Sequence, residues 1–173
     1  MNSISRSSDK SVIEASVLSV LNQSSVPYKV IEIDPEFADT VAFCDKYDYP
    51  VDFSGNTIIV ASRKEPVQYA ACLVKASDRI DVNVVVRKLM GVRRLSFATR
   101  EQTKTLTGME IGGVTPLALP ADLPVYIDKK VMELDYIILG SGVRSSKIKV
   151  APEILNKIPN THVLEGISIR TDI

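Results

Sequence analysis

Residues 105–119 read Thr-Leu-Thr-Gly-Met-Glu-Ile-Gly-Gly-Val-Thr-Pro-Leu-Ala-Leu; Gly108, Gly112 and Gly113 fall within six positions and Pro116 closes the run. Glycine costs conformational entropy, so such a cluster between ordered elements marks a backbone that takes positive φ or approaches another group closely. Two adjacent glycines before a proline-stiffened exit can present bare N–H groups to an oxygen or a phosphate. An ordinary tight connection reads the same way from spacing alone. The spacing fits neither Gly-x-Gly-x-x-Gly nor a P-loop, since no Gly-Lys-Ser/Thr follows.

Working outward, the segments on either side alternate between helix and strand. Ile13, Val17, Val20 and Leu21 follow helical spacing after a polar leader at 1–10. Tyr28 to Ile33 reads as a strand, and Asp34-Pro35 as a cap with proline in the first helical position. The helix expected over 37–47 puts Phe37, Val41 and Cys44 on one face. Asn56–Ser62 and Val67–Lys75, separated by Arg63-Lys64-Glu65-Pro66, predict a hairpin. Val82, Val85, Val86 and Leu89 predict a buried helix face ending near Gly91, and Thr99 caps a helix that runs into the glycine cluster. Beyond it, Val125–Asp128, Tyr136–Leu139 and Ser146–Val150 read as strands, with Gly140-Ser141-Gly142 after the second. Pro152 opens a helix to about Ile158, and 162–164 form a last short strand. Helices and strands mix without the strict alternation of a doubly wound sheet, so the expectation is one α/β (α+β) domain over residues 11–173.

Composition narrows the class. A 173-residue chain with 45% hydrophobic residues can bury a sizeable core. Its formal net charge is zero, so bulk electrostatics do not advertise nucleic-acid binding. The charge is uneven, however. Asp34, Glu36, Asp39, Asp45, Asp48 and Asp52 make the early part acidic; Arg87, Lys88, Arg93, Arg94, Arg100 and Lys104 make the middle basic. Lys129, Lys130, Arg144, Lys147 and Lys149 form a later basic run. There is no apolar stretch long enough to span a membrane and no secretory signal pattern, so a cytoplasmic protein is expected. Cys44 and Cys72 match no metal spacing, and a single histidine, His162, argues against a Cys/His zinc site.

Together, Asn56-Thr57-Ile58-Ile59-Val60, Gly112-Gly113-Val114-Thr115-Pro116, Val125-Tyr126-Ile127-Asp128, Gly140-Ser141-Gly142 and the segment from Lys147 to Leu155 resemble, in that order, the YbaK / prolyl-tRNA synthetase-associated editing-domain family. The resemblance covers roughly residues 10–165. It implies a mixed, partly closed β-sheet with helices around it, and a free-standing hydrolase that cleaves the ester of mischarged aminoacyl-tRNA in trans, without metal or cofactor. Mischarged aminoacyl-tRNA and an aminoacyl-tRNA synthetase are the implied partners. The alternative is a family member that binds aminoacyl-tRNA or a small nucleotide-like ligand without hydrolysing it.

An aminoacyl ester is already reactive, so such a site chiefly positions it and a water and stabilises the developing oxyanion. On that reading Gly112 and Gly113 supply backbone N–H groups, with Thr115 and Pro116 shaping the loop; Gly140, Ser141 and Asp128 are further substrate-binding candidates. Many members of the family begin the strand at 56 with a lysine to which the resemblance assigns substrate binding and catalysis. Here Asn56 stands there, able to hydrogen-bond but uncharged. Lys75 and Lys147 are the two candidates to supply the missing charge, and each also reads as a solvated strand-end lysine. Ile58, Val60, Leu73 and Leu117 are candidates for the walls that select the amino acid.

Overall fold

The computed structural model describes residues 3–171. Helix α1 (Ser3–Ser24) runs back through most of the segment expected as a leader; residues 1 and 2 lie outside the described residues. Its Val17 and Leu21 are buried, as the spacing of apolar positions requires.

Ten strands follow among the described residues: β1 (Tyr28–Glu32), β2 (Gly55–Ser62), β3 (Tyr69–Lys75), β4 (Asp78–Ile80), β5 (Leu95–Phe97), β6 (Val125–Asp128), β7 (Ile137–Gly140), β8 (Ser146–Val150), β9 (Thr161–Leu164) and β10 (Ser168–Arg170). The principal sheet has the order β5-β2-β3-β6-β9 and is mixed. β2 pairs antiparallel with both β3 and β5, whereas β3–β6 and β6–β9 are parallel. β3 is the central strand, and its interior residues Ala70 to Val74 are buried, which explains a continuous apolar run in place of alternation. The expected hairpin is present, in the register Gly55↔Lys75 to Ala61↔Tyr69.

A second, antiparallel sheet, β1-β8-β7, meets the first where Ser54 bridges Ile138 beside β2. The two sheets enclose a core containing Leu73, Ile127, Leu139, Ile148 and Ile154. This is the mixed α/β architecture expected from sequence. A small β10-β4 pair, which the sequence pattern did not reveal, closes one end.

The helical elements depart from the periodicity in two places. Helix α2 begins only at Thr40 and ends at Tyr47, after a separate 3₁₀ turn at Pro35–Phe37. Its buried residues are Phe43 and Cys44, while Val41 is 72% exposed. The break at Ala38-Asp39 resets the helical phase, so a single helix projected from Phe37 places Cys44 correctly but puts Val41 on the wrong side. At Val82–Val86 the chain makes a π turn before the short α3 (Arg87–Leu89). The wider turn buries Val82 and Val86 but leaves Leu89 exposed.

Helix α4 (Arg100–Thr107) starts with a capping box. The Gln102 N–H donates to Thr99 Oγ1 at 3.0 Å, and the Thr99 N–H donates to Gln102 Oε1 at 2.9 Å. Thr99→Ala is expected to cost about 1 kcal/mol of unfolding free energy, read from the denaturant midpoint at constant m-value. The helix stops at Gly108, φ +72°, where the glycine cluster begins. One further turn, α5 (Lys129–Met132), follows β6.

Candidate functional site

The glycine cluster leaves α4 and folds over the ends of β7 and β8. Gly113 packs so tightly that an added Cβ would lie 2.6 Å from the Val143 carbonyl oxygen. Its own carbonyl accepts the Gly142 N–H at 2.6 Å, locking the loop at 109–116 to the loop at 141–145. Its N–H donates to Glu110 O at 2.9 Å. The expectation that both glycine amides face a ligand therefore fails for Gly113: a turn within the loop consumes that donor. Gly112 differs. It takes φ +92° and lines a cleft; among the described residues its N–H has no hydrogen-bond partner.

The cleft encloses about 430 Å³, within the range of small-molecule sites. Gly112, Asn56, Gly140 and Lys147 all line it, so four expected site residues from separate parts of the chain converge. Lys147 sits on β8 opposite Gly140 of β7, and β7 lies against β2, which carries Asn56. That register brings a lysine from the C-terminal third to the strand whose expected lysine is missing.

Lys147 is only 6% exposed. Its ammonium donates to Gly112 O at 2.8 Å and stands 5.8 Å from the centre of the Phe43 ring. Burial pushes its pKa down from 10.5 to about 8; Asp39 opposes the shift and Arg144 adds to it. One of its three N–H donors is committed to Gly112.

Asn56 is not idle either. Its Oδ1 accepts the Thr40 hydroxyl at 2.6 Å, tying the start of α2 to β2. Asn56→Ala should leave that hydroxyl without its partner and cost about 1 kcal/mol of stability, measured by urea unfolding.

Several cleft residues carry no mark in the sequence pattern. Asp39 holds the N-cap position of α2 but makes no side-chain cap bond. Its carboxylate instead faces Arg144 Nη1 at 3.3 Å. Arg144 also donates to Ile111 O at 2.7 Å and to Pro35 O at 3.0 Å, clamping the glycine loop to the segment before α2. Val41, Phe97 and Ile111 are exposed apolar residues on the cleft wall. The available signal was Arg144's place in the loop between Gly142 and Lys147; nothing local marked Val41 or Phe97.

The remaining expected residues lie elsewhere. Lys75 pairs with Asp52 at 3.5 Å and does not line the cleft. Asp128 is buried, caps α5 through the Lys130 N–H at 3.1 Å and accepts the Ser168 hydroxyl. Its carboxylate serves structure, one oxygen capping α5 and the other held by the half-buried Ser168 hydroxyl. Thr115 is buried and accepts the Leu117 N–H at 3.4 Å, starting the 3₁₀ turn that Pro116 opens. The Ser141 hydroxyl shares its one proton between Val143 O in its own loop and Ser146 O at the start of β8, at 3.2 and 3.0 Å. Of the expected wall residues Ile58 lines the cleft, while Val60, Leu73 and Leu117 are core.

Neither cysteine has the marks of a nucleophile. Burial pushes the Cys44 thiol up, against Ser54 and Lys147, and pushes Cys72 up to about 12. His162 is exposed on β9, hydrogen-bonded to Asn160 at 3.1 Å. Among the described residues no group of three His, Cys, Asp or Glu is placed to hold a metal ion, and no helix is long and apolar enough to cross a membrane.

This fold has known counterparts. Residues 34–158, most of the chain, match the aminoacyl-tRNA editing domain, and the chain belongs to that family. It is 22% identical over 156 residues to EbsC of Enterococcus faecalis, named as a candidate Cys-tRNA(Pro)/Cys-tRNA(Cys) deacylase, with 88% of this chain and 92% of that one aligned. A crystal structure described as a candidate trans-editing enzyme for prolyl tRNA synthetase superposes with a TM-score of 0.74 at 21% identity, covering 88% of this chain and 95% of the other. A second crystallised protein, described as hypothetical, superposes with a TM-score of 0.77 at 19% identity over 89% and 99% of the two chains. At these identities the structural likeness establishes the fold.

Proposed function

We propose that this chain hydrolyses the ester of mischarged aminoacyl-tRNA in trans, using Lys147 as the cation that the resemblance assigns, in many members of the family, to the position of Asn56. The observation that carries the reading is the buried Lys147 ammonium, held on Gly112 O at 2.8 Å in the cleft that Asn56 also lines. Desolvating a cation is costly, and among the described residues Lys147 makes no ion pair: Asp39 acts on it only from across the cleft, its carboxylate being paired with Arg144.

In this reading the terminal ribose and its ester enter beside Gly112. Lys147 has N–H donors left for the carbonyl oxygen or a phosphate oxygen of the 3′ nucleotide. The Gly112 N–H is the backbone donor that stabilises the negative charge developing on the carbonyl oxygen. Water adds to the carbonyl carbon and the bond to the ribose oxygen breaks. The ribose oxygen takes one proton of the attacking water, the other passes to solvent, and the amino acid leaves as a carboxylate. Val41, Ile58 and Ile111 are the apolar surfaces available to its side chain. Incubation with a panel of mischarged tRNAs is expected to release at least one amino acid above the buffer rate; no release from any of them rejects the proposal.

A second reading, binding without hydrolysis, is favoured by Asn56, whose amide oxygen is taken up by Thr40. It requires a silent parent protein and release only after Asn56→Lys, so the same panel separates the two.

A further inference from the structure

The cleft is not the only concave feature that bears on a nucleic-acid substrate. A groove of about 700 Å³ at the other end of β2 is lined by Arg63 and Lys64 from the β2–β3 turn and by Arg93 and Arg94 from the segment entering β5. All four are exposed, and among the described residues none is ion-paired. Glu65 carries the one negative charge on the lining. We propose that this groove holds the phosphate backbone of the tRNA acceptor strand whose 3′ end reaches the cleft; the proposal rests on the functional reading above and assigns that substrate a second, phosphate-binding surface.

The groove is built in advance of any ligand. The Ser62 N–H donates to Gln68 O at 2.9 Å and the Gln68 N–H returns to Ser62 Oγ at 2.8 Å. The Arg63 N–H donates to Arg94 O at 3.2 Å, so the two basic pairs are joined through backbone. Long, flexible side chains are thus fixed at their roots, while among the described residues none of them is held in an ion pair.

Its position fits the path. Arg94 is three residues from Phe97 at the cleft, about 10 Å along β5, and Ser62 is six residues from Asn56, about 20 Å along β2. At roughly 3.4 Å per stacked nucleotide, a short single-stranded end spans that interval. Phe97 stands at the cleft end of that interval, 57% exposed, and offers an aromatic surface on which a base can stack.

A rival approach exists on the opposite flank, where Arg100, Lys104 and Arg144 line a hollow beside the cleft. There Asp39, Glu101 and Glu110 balance the charge, with Lys104–Glu110 at 3.8 Å and Arg144–Asp39 at 3.3 Å. A phosphate backbone would have to displace those partners. The unpaired groove is therefore the favoured track, and the zero net charge of the chain hides it.

The test is binding of uncharged tRNA as a function of salt, which does not depend on turnover. The fourfold variant Arg63→Gln/Lys64→Gln/Arg93→Gln/Arg94→Gln is compared with a matched control, Lys29→Gln/Arg79→Gln/Lys157→Gln/Arg170→Gln, at exposed sites elsewhere. The groove variant is expected to bind at least about tenfold more weakly near 0.1 M salt, and to flatten the log–log salt dependence by about one unit for each phosphate no longer neutralised. The control should change neither by a comparable amount. Equal affinity and slope for parent and groove variant overturn the proposal and leave the groove to an acidic protein surface; so does a parent that binds no tRNA. Binding through the groove without release from any mischarged tRNA sustains this inference while rejecting hydrolysis.

Discussion

Lys147→Met is expected to yield a protein that is more stable than the parent and hydrolytically silent. Stability should rise because the parent buries an ammonium, 6% exposed, whose pKa is pushed to about 8. A methionine of similar length fills the same space without desolvating a charge. Allowing for the lost bond to Gly112 O, the gain should be about 1–3 kcal/mol near pH 7. Activity should fall about 10²-fold or more, the usual consequence of removing a donor aimed at developing negative charge. Gain in one property with loss of the other distinguishes a functional lysine from a structural one, whose removal would lower both.

The sign of the pH dependence provides an independent check. With a folded pKa near 8 and an ordinary value of 10.5, the unfolded chain binds more protons through that interval. Parent stability attributable to Lys147 therefore rises with pH from about 8 towards 10.5, and the cost of the charge is present in full below it. The advantage of Lys147→Met should narrow across this window and be largest at neutral pH, measured by denaturant midpoints at a series of pH values. Activity should run the other way. The ammonium is the working form, so enzyme-catalysed release, corrected for alkaline hydrolysis of the ester, should decline as pH passes about 8. A stability difference that does not vary from pH 7 to 10.5 would falsify the assignment of a desolvated, charged Lys147.

These residues show where sequence reading succeeds. The β2–β3 hairpin was legible because two apolar runs flank a polar turn, and the α4 cap because Thr99 and Gln102 carry the capping pattern locally. The glycine cluster was recognisable as a backbone of positive φ and close approach, yet the two adjacent glycines have opposite fates. Gly112 faces the cleft and Gly113 satisfies a turn, and only the hydrogen-bond partners in three dimensions decide between them. Lys147 and Lys75 were equivalent as strand-end lysines. What separates them is non-local: the β7–β8 register that turns Lys147 into the cleft, and Asp52, which claims Lys75. Asp128 appeared free to bind a substrate because Ser168, its hydroxyl partner, lies forty residues away.

The loop that holds Gly112 supplies the other large effect, a contrast between two alanine substitutions. Gly140→Ala would put a Cβ 2.3 Å from the Val114 carbonyl oxygen and 2.8 Å from that of Gly113. Both are backbone atoms of the glycine loop, so one strand or the loop must move, and Lys147, opposite Gly140, moves with it. A loss of about 3 kcal/mol or more is expected, with activity lost through unfolding. Gly112→Ala meets a different obstacle. Its Cβ would fall 2.3 Å from Arg144 Nη1, the tip of a side chain that can swing away, and its φ of +92° adds local strain of about 1–2 kcal/mol. The displaced guanidinium gives up Ile111 O, Pro35 O and Asp39, so the loop loosens while the core stays intact. Gly112→Ala should therefore remain folded but raise KM. Made in an Arg144→Ala background it should cost distinctly less than in the parent, a coupling of about 1 kcal/mol in a double-mutant cycle. Additive effects would mean that Arg144 does not shape the loop, and a Gly140→Ala protein as stable as the parent would show that β7 and the glycine loop are not in close contact.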